Sequence, residues 1–200
     1  MADEKRMMGD YEVTHAIHIG DNEIVMDENM SSKTGDFYMV ADCVRNDMFM
    51  RYENCYVSAD FTELAEMFAQ RLTEQVQKLK MEQEKITVSK TPFTAEQCTP
   101  VKSMDVTNKI IVIKPEELRP EYRMSVNQLY VVTGGNGARG NARGRAVFCT
   151  SLYNKENERF NRSDILGVMQ PEKLPEWAKN NLAEITAKRD KAKNHKEKER

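Results

Sequence analysis

Leu129-Tyr130-Val131-Val132-Thr133-Gly134-Gly135-Asn136-Gly137-Ala138-Arg139-Gly140-Asn141-Ala142-Arg143-Gly144-Arg145-Ala146-Val147-Phe148-Cys149-Thr150-Ser151 is the stretch on which the fold turns. Five of the nine glycines of the 200-residue chain fall between 134 and 145, with Arg139, Arg143 and Arg145 among them. Gly135 to Gly140 satisfies the letters of a dinucleotide-binding G-x-G-x-x-G. That motif must open a helix, so that the pyrophosphate meets a helix N-terminus. Here the glycines run into Ala146–Ser151, a strand by composition, and no Gly-Lys-Ser/Thr ends them as in a Walker loop. The segment therefore reads as a long Gly/Arg connection between antiparallel strands, and the chain as α+β rather than a doubly wound α/β protein.

Other strands follow outward from it. Lys109–Ile113 is a β-branched run stopped by Pro115 and Pro120; Glu158–Asn161 and Ile165–Val168 follow a turn at 154–157. Short strands with polar turns suggest a small SH3-like or OB-like β module over 108–185. Pro175 suits the first turn of a closing helix, and Trp177 is expected to seal the base of the sheet. Residues 186–200, with seven bases against three acids, read as a charged tail, a frayed helix or disordered.

On the N-terminal side, 87–107 carries Pro92 and Pro100 with little periodicity and reads as a linker. Before it, 11–86 forms an α+β module, preceded by a flexible start at 1–10. Tyr11, Val13, His15, Ile17 and Ile19 alternate with polar residues, Gly20-Asp21-Asn22 offers a turn, and 23–26 a returning strand. Phe37–Val44 suits strand or helix, Asn46-Asp47 breaks it, and Met48–Val57 leans to strand. Asp60–Lys85 is an amphipathic helix with Phe61, Leu64, Ala65, Phe68, Leu72, Val76 and Leu79 on one stripe. Asp60 and Glu63 stand at capping-box spacing.

The composition, 40% apolar and 31% charged with a net charge of −2, argues against a general polyanion binder, so any nucleic-acid contact must be local. Residues 1–30 hold eight acids and two bases. Thirteen methionines offer adaptable packing or a Met-lined surface. The cysteines at 43, 55, 98 and 149 lack zinc or redox spacing, and no apolar run suits a signal peptide or a bilayer; reduced thiols, a cytoplasmic location and no membrane are the expectation. His15 and His18 fall on opposite faces of a strand and cannot share a metal. No metal, no cofactor and no catalytic residues are expected. Asp42, Asp47, Glu53 and Asp60 can be posed as an acid cluster, and solvated turns explain them as well.

The candidate binding residues are Arg139, Arg143, Arg145, Asn136 and Asn141 in the loop, extended by Arg159 and Arg162. Glycine lets the backbone approach a ligand, and guanidinium forks suit phosphate or carboxylate. Tyr130, Phe148, Tyr153 and Phe160 lie nearby, and alternation leaves at most half of them free to stack on bases.

The stretch Leu129–Gly135, then Gly140–Val147, Arg162-Ser163-Asp164-Ile165-Leu166-Gly167 and Leu174-Pro175-Glu176-Trp177-Ala178 resembles a C-terminal module of small accessory proteins from plasmids, phages and conjugative elements of Firmicutes. The resemblance covers the last third of the chain and carries no catalytic residues. It implies a setting in which inhibitors of host-defence nucleases, anti-CRISPR proteins included, are common. The first expectation is thus a non-enzymatic binding protein that engages a nucleic-acid-handling complex and inhibits a defence nuclease, its acidic front occupying a basic groove. The second is a nucleic-acid-binding accessory protein using the Gly/Arg loop, and the third an enzyme acting on a small phosphorylated ligand.

Overall fold

A computed structural model describes residues 5–45, 49–141 and 143–198. The Asn46–Asp47 break and Ala142 lie outside them. The protein is α+β and divides into two compact units, Met1–Ile86 and Thr87–Arg200.

The first unit is an antiparallel meander in sequence order: β1 (Met7–Met8), β2 (Tyr11–Ile19), β3 (Asn22–Glu28), β4 (Tyr38–Arg45) and β5 (Met50–Ser58). The start of the chain contributes β1, which pairs Met8 with Tyr11. A register shift in β2 between Val13 and His15 interrupts the expected alternation, so Val13 pairs with Asp27 while His15 pairs with Met26 on the other face. Helix α1 (Phe61–Glu84) covers one face of the sheet. Leu64, fully buried, meets Ile24, Met26 and Val40, and Met67, Phe68 and Leu72 pack around them. Phe61, placed on the stripe by periodicity, is instead half exposed, edge-on to Tyr38.

The Asp60 carboxylate accepts from the Thr62 and Glu63 N–H groups at 2.7 and 3.4 Å, satisfying donors left open by the first turn. Glu63 does not complete a box. Its carboxylate accepts from Tyr56 Oη and Ser58 Oγ, both at 2.6 Å, and so ties the helix start to β5.

The opposite face of the meander buries Val25, Ala41 and Cys43 beneath Met8, Val13 and Tyr52. Arg6 closes its edge. Its guanidinium donates to both Glu23 oxygens (2.9 and 2.7 Å) and to Tyr52 Oη (2.8 Å). Asp27, fully buried on this face, has no hydrogen-bond partner for either carboxylate oxygen. Burial pushes its pKa up to about 6, against a small opposing pull from Arg6.

The second unit is built on a six-stranded antiparallel sheet in the order β10-β9-β8-β7-β11-β6. Its strands are β6 (Cys98–Thr99), β7 (Ile110–Ile113), β8 (Leu129–Gly134), β9 (Ala146–Ser151), β10 (Asn157–Asn161) and β11 (Ile165–Met169). Residues 87–107 are not a linker. Phe93 and Cys98 enter one core, Val106 enters the other, and β6 pairs with β11. Irregular local sequence hid this, because a two-residue strand and single anchors leave no periodicity. Buried Gln128 holds the segment down: its side chain accepts from Phe93 N–H (2.8 Å) and donates to the Ile113 carbonyl (2.9 Å).

Helix α2 (Glu176–Lys198) covers the face made by Val112, Leu129 and Val131, burying Ala178 and Ile185. Pro175 stands just before it, its carbonyl accepting from Ala178 and Lys179 N–H. Trp177 is half-buried against this core, edge-on to Tyr153. The helix continues through Lys198, the helical one of the two forms expected for the charged tail. Among the described residues no helix is long and apolar enough to cross a membrane.

Candidate nucleic-acid interface

The Gly/Arg connection between β8 and β9 is hydrogen-bonded into the second unit rather than held out as a free tip. Gly135 has φ +112°, and a Cβ there would lie 2.3 Å from the Ala146 carbonyl oxygen. Only glycine fits such a turn and such an approach. A Cβ at Gly140 would lie 2.3 Å from the Ser103 carbonyl oxygen, so this glycine lets the loop pack on the segment before β7. Ala138 is buried with Tyr130, Val132 and Val147, and its carbonyl accepts from Val106 N–H at 2.8 Å.

Arg162 organises this packing. Its Nη1 donates to the carbonyls of Gly137 (2.7 Å), Ala138 (3.4 Å) and Arg139 (3.3 Å), and its Nη2 to those of Lys102 (3.0 Å) and Met104 (2.6 Å). The planar fork of donors matches carbonyls arriving from two chain segments. Arg162, expected to extend the binding face, is thus a structural brace whose Nη1 and Nη2 are occupied. Asn136 is also structural: its side-chain oxygen accepts from Ala146 N–H at 3.0 Å. Asn141 takes a left-handed turn conformation, φ +57°, with its side chain exposed.

Arg139, Arg143, Arg145 and Arg159 are exposed, and none donates a side-chain hydrogen bond or joins an ion pair among the described residues. Arg139 lies near enough to Asp105 to help hold that carboxyl below its ordinary value, behind the larger effect of its hydrogen bonds with Thr107. Arg159 is the cross-strand neighbour of Phe148, whose ring is 49% exposed although Val147 and Cys149 on either side are buried. The other aromatics are spent on packing: Tyr130 is buried against Phe160, ring centroids 4.9 Å apart, and Tyr153 meets Trp177 at 5.8 Å. Of these four aromatics, Phe148 is therefore the one left for a ligand, with the exposed Arg159 opposite it on β10. Alternation left at most half of the four aromatics free without saying which; the packing of Tyr130, Phe160 and Tyr153 singles out Phe148.

The acidic front is partly consumed inside the first unit. Glu12 pairs with Lys5, Glu23 with Arg6, and Asp27 is buried; Asp3 and Glu4 lie outside the described residues. The acid cluster posed from sequence does not converge on a reacting centre. Asp42 pairs with Arg71 at 3.4 Å, Glu53 with Arg51, and Asp60 caps α1, while Asp47 is outside the described residues. Cys149 is buried, and burial, aided by Glu158, pushes its thiol up to about 12, which leaves it inert as a nucleophile. Among the described residues no three His, Cys, Asp or Glu side chains are grouped to hold a metal ion. No protein family, curated protein or solved structure matches this chain.

Proposed function

We propose that this protein is a non-enzymatic binding protein whose second unit contacts single-stranded nucleic acid, free or carried by a nucleoprotein complex. The observation that carries the reading is Phe148, exposed in the middle of a strand and paired across to Arg159, beside a rigidly framed loop that exposes Arg139, Arg143 and Arg145. A lone exposed phenylalanine is ordinary. One with an exposed guanidinium directly across the strand pair, on a sheet whose loop exposes three more, offers a stacking platform and phosphate forks together. The framing of the loop adds to this, since a pre-ordered contact loses less freedom on binding. Direct contact is favoured over an acidic decoy for a basic groove, because Glu12 and Glu23 are ion-paired and Asp27 is buried within their own unit. Inhibition of a defence nuclease is the wider form of the proposal, in which the contacted strand is the nuclease's own guide or substrate.

Fluorescence anisotropy with a labelled oligothymidylate and a matched duplex tests it. Binding is expected at low salt, with preference for the single strand. Three lost phosphate contacts in an Arg139→Ala/Arg143→Ala/Arg145→Ala variant should reduce the magnitude of the log–log salt slope by about 2. Loss of one stacked base in Phe148→Ala should weaken binding by roughly tenfold. Absence of binding at low salt, or equal affinity in all three proteins, defeats the reading. Addition of the protein to a purified guide-dependent nuclease, with cleavage as readout, tests the wider form.

A further inference from the structure

The second unit holds an open cavity of about 620 Å³ that the nucleic-acid reading does not use. Its wall comes from β7, β11, the turn after β11 and α2, and includes Ile110, Val168, Leu174 and Leu182. Lys109 and Lys179 stand among the lining residues, and no acid does. The size lies within the roughly 300–1,000 Å³ of small-molecule sites, which pair an apolar wall with a few polar groups that orient the ligand.

The polar groups fix the ligand's charge. Lys109 is exposed and joins no ion pair among the described residues, although its charge helps to hold the Asp105 carboxyl low, and Lys179 pairs with the exposed Glu176 on its own helix, at 3.4 Å. Arg189, one donor of which binds Asn108 Oδ1 at 3.2 Å, adds a further positive charge beside the lining residue Asn108. Apolar side chains at the wall and two lysines, with no acid among the lining residues, complement a molecule with a hydrocarbon body and an anionic head. We infer that this cavity is a binding site for a medium-chain fatty acid carboxylate, its chain against Ile110, Val168 and Leu182 and its head between Lys109 and Lys179.

Calorimetric titration of the full chain with dodecanoate, below its micelle concentration, tests the inference. One saturable site is expected, with dodecyltrimethylammonium, the same chain under a cationic head, binding at least tenfold more weakly. The double variant Lys109→Glu/Lys179→Glu changes exposed or half-exposed side chains, and its circular dichroism should match the parent. Loss of two charge-assisted contacts should weaken dodecanoate by roughly tenfold or more. No saturable binding of dodecanoate overturns the inference, as does equal binding of the two head groups or undiminished dodecanoate binding in the double variant. The nucleic-acid measurement uses different residues, so either result stands without the other.

Discussion

Removing the Arg162 guanidinium takes a donor from five carbonyl oxygens in two chain segments, of which Ala138 alone keeps a second one among the described residues, Val106 N–H. Arg162→Ala should therefore destabilise the second unit by about 2 kcal/mol or more in urea denaturation. Arg162→Lys should recover only part of that, because an ammonium cannot serve both segments with one plane of donors. Asp27 gives a prediction of the opposite kind. Its ordinary value of 3.8 is raised by burial to about 6 in the fold, so the native state holds the proton more tightly than the unfolded chain. Its contribution is fully present below the lower value and is lost as pH rises through the upper one, amounting to about 2 to 3 kcal/mol. Glu23, held below its usual range by Arg6, acts in reverse and loses its contribution on acidification. Comparison of denaturation curves at pH 4 and pH 7 should show Asp27→Asn abolishing the alkaline loss and leaving the acid-side loss in place. Neither residue's role was legible in the sequence. An arginine in a turn and an aspartate in an alternating strand both look solvent-facing until register and long-range contacts are known.

The elements were easier to read than their uses. The α1 stripe and its Asp60 cap follow from local spacing, since helix periodicity and capping act within a few residues. Leu64→Ala, at the one fully buried helix position in that core, should cost about 2 to 5 kcal/mol by thermal unfolding. Strands β2, β3 and β7 to β11 were legible from β-branched and alternating runs. The register shift in β2 was not, because a bulge is settled by pairing and not by composition. The Gly/Arg loop was located correctly. Glycines read as room for a ligand are close-contact positions with the chain's own backbone, which becomes visible only with Ser103 and Ala146 in place. Gly140→Ala should consequently lower the melting temperature of the second unit by several degrees, since a methyl group cannot share space with a backbone carbonyl.

Each unit has its own buried clusters, two in Met1–Ile86 and two in Thr87–Arg200. A fragment spanning 87–200 is expected to fold alone and keep the oligothymidylate affinity of the whole chain; loss of its near-ultraviolet circular dichroism would contradict this. A fragment starting at 108 should fail, since it lacks Phe93, Cys98 and Val106. Sequence alone could not place that boundary, because the anchoring residues are scattered through a stretch without pattern. Of the four cysteines, Cys43, Cys98 and Cys149 are buried and Cys55 on β5 is exposed. Native protein should thus react with one equivalent of a maleimide dye, at a residue in the first unit, and denatured protein with four. The chain's single tryptophan, Trp177, belongs to the second unit. The molecule accordingly carries its own donor and a natural attachment point for an acceptor, so resonance energy transfer can follow the spacing of its halves in solution without a single engineered residue.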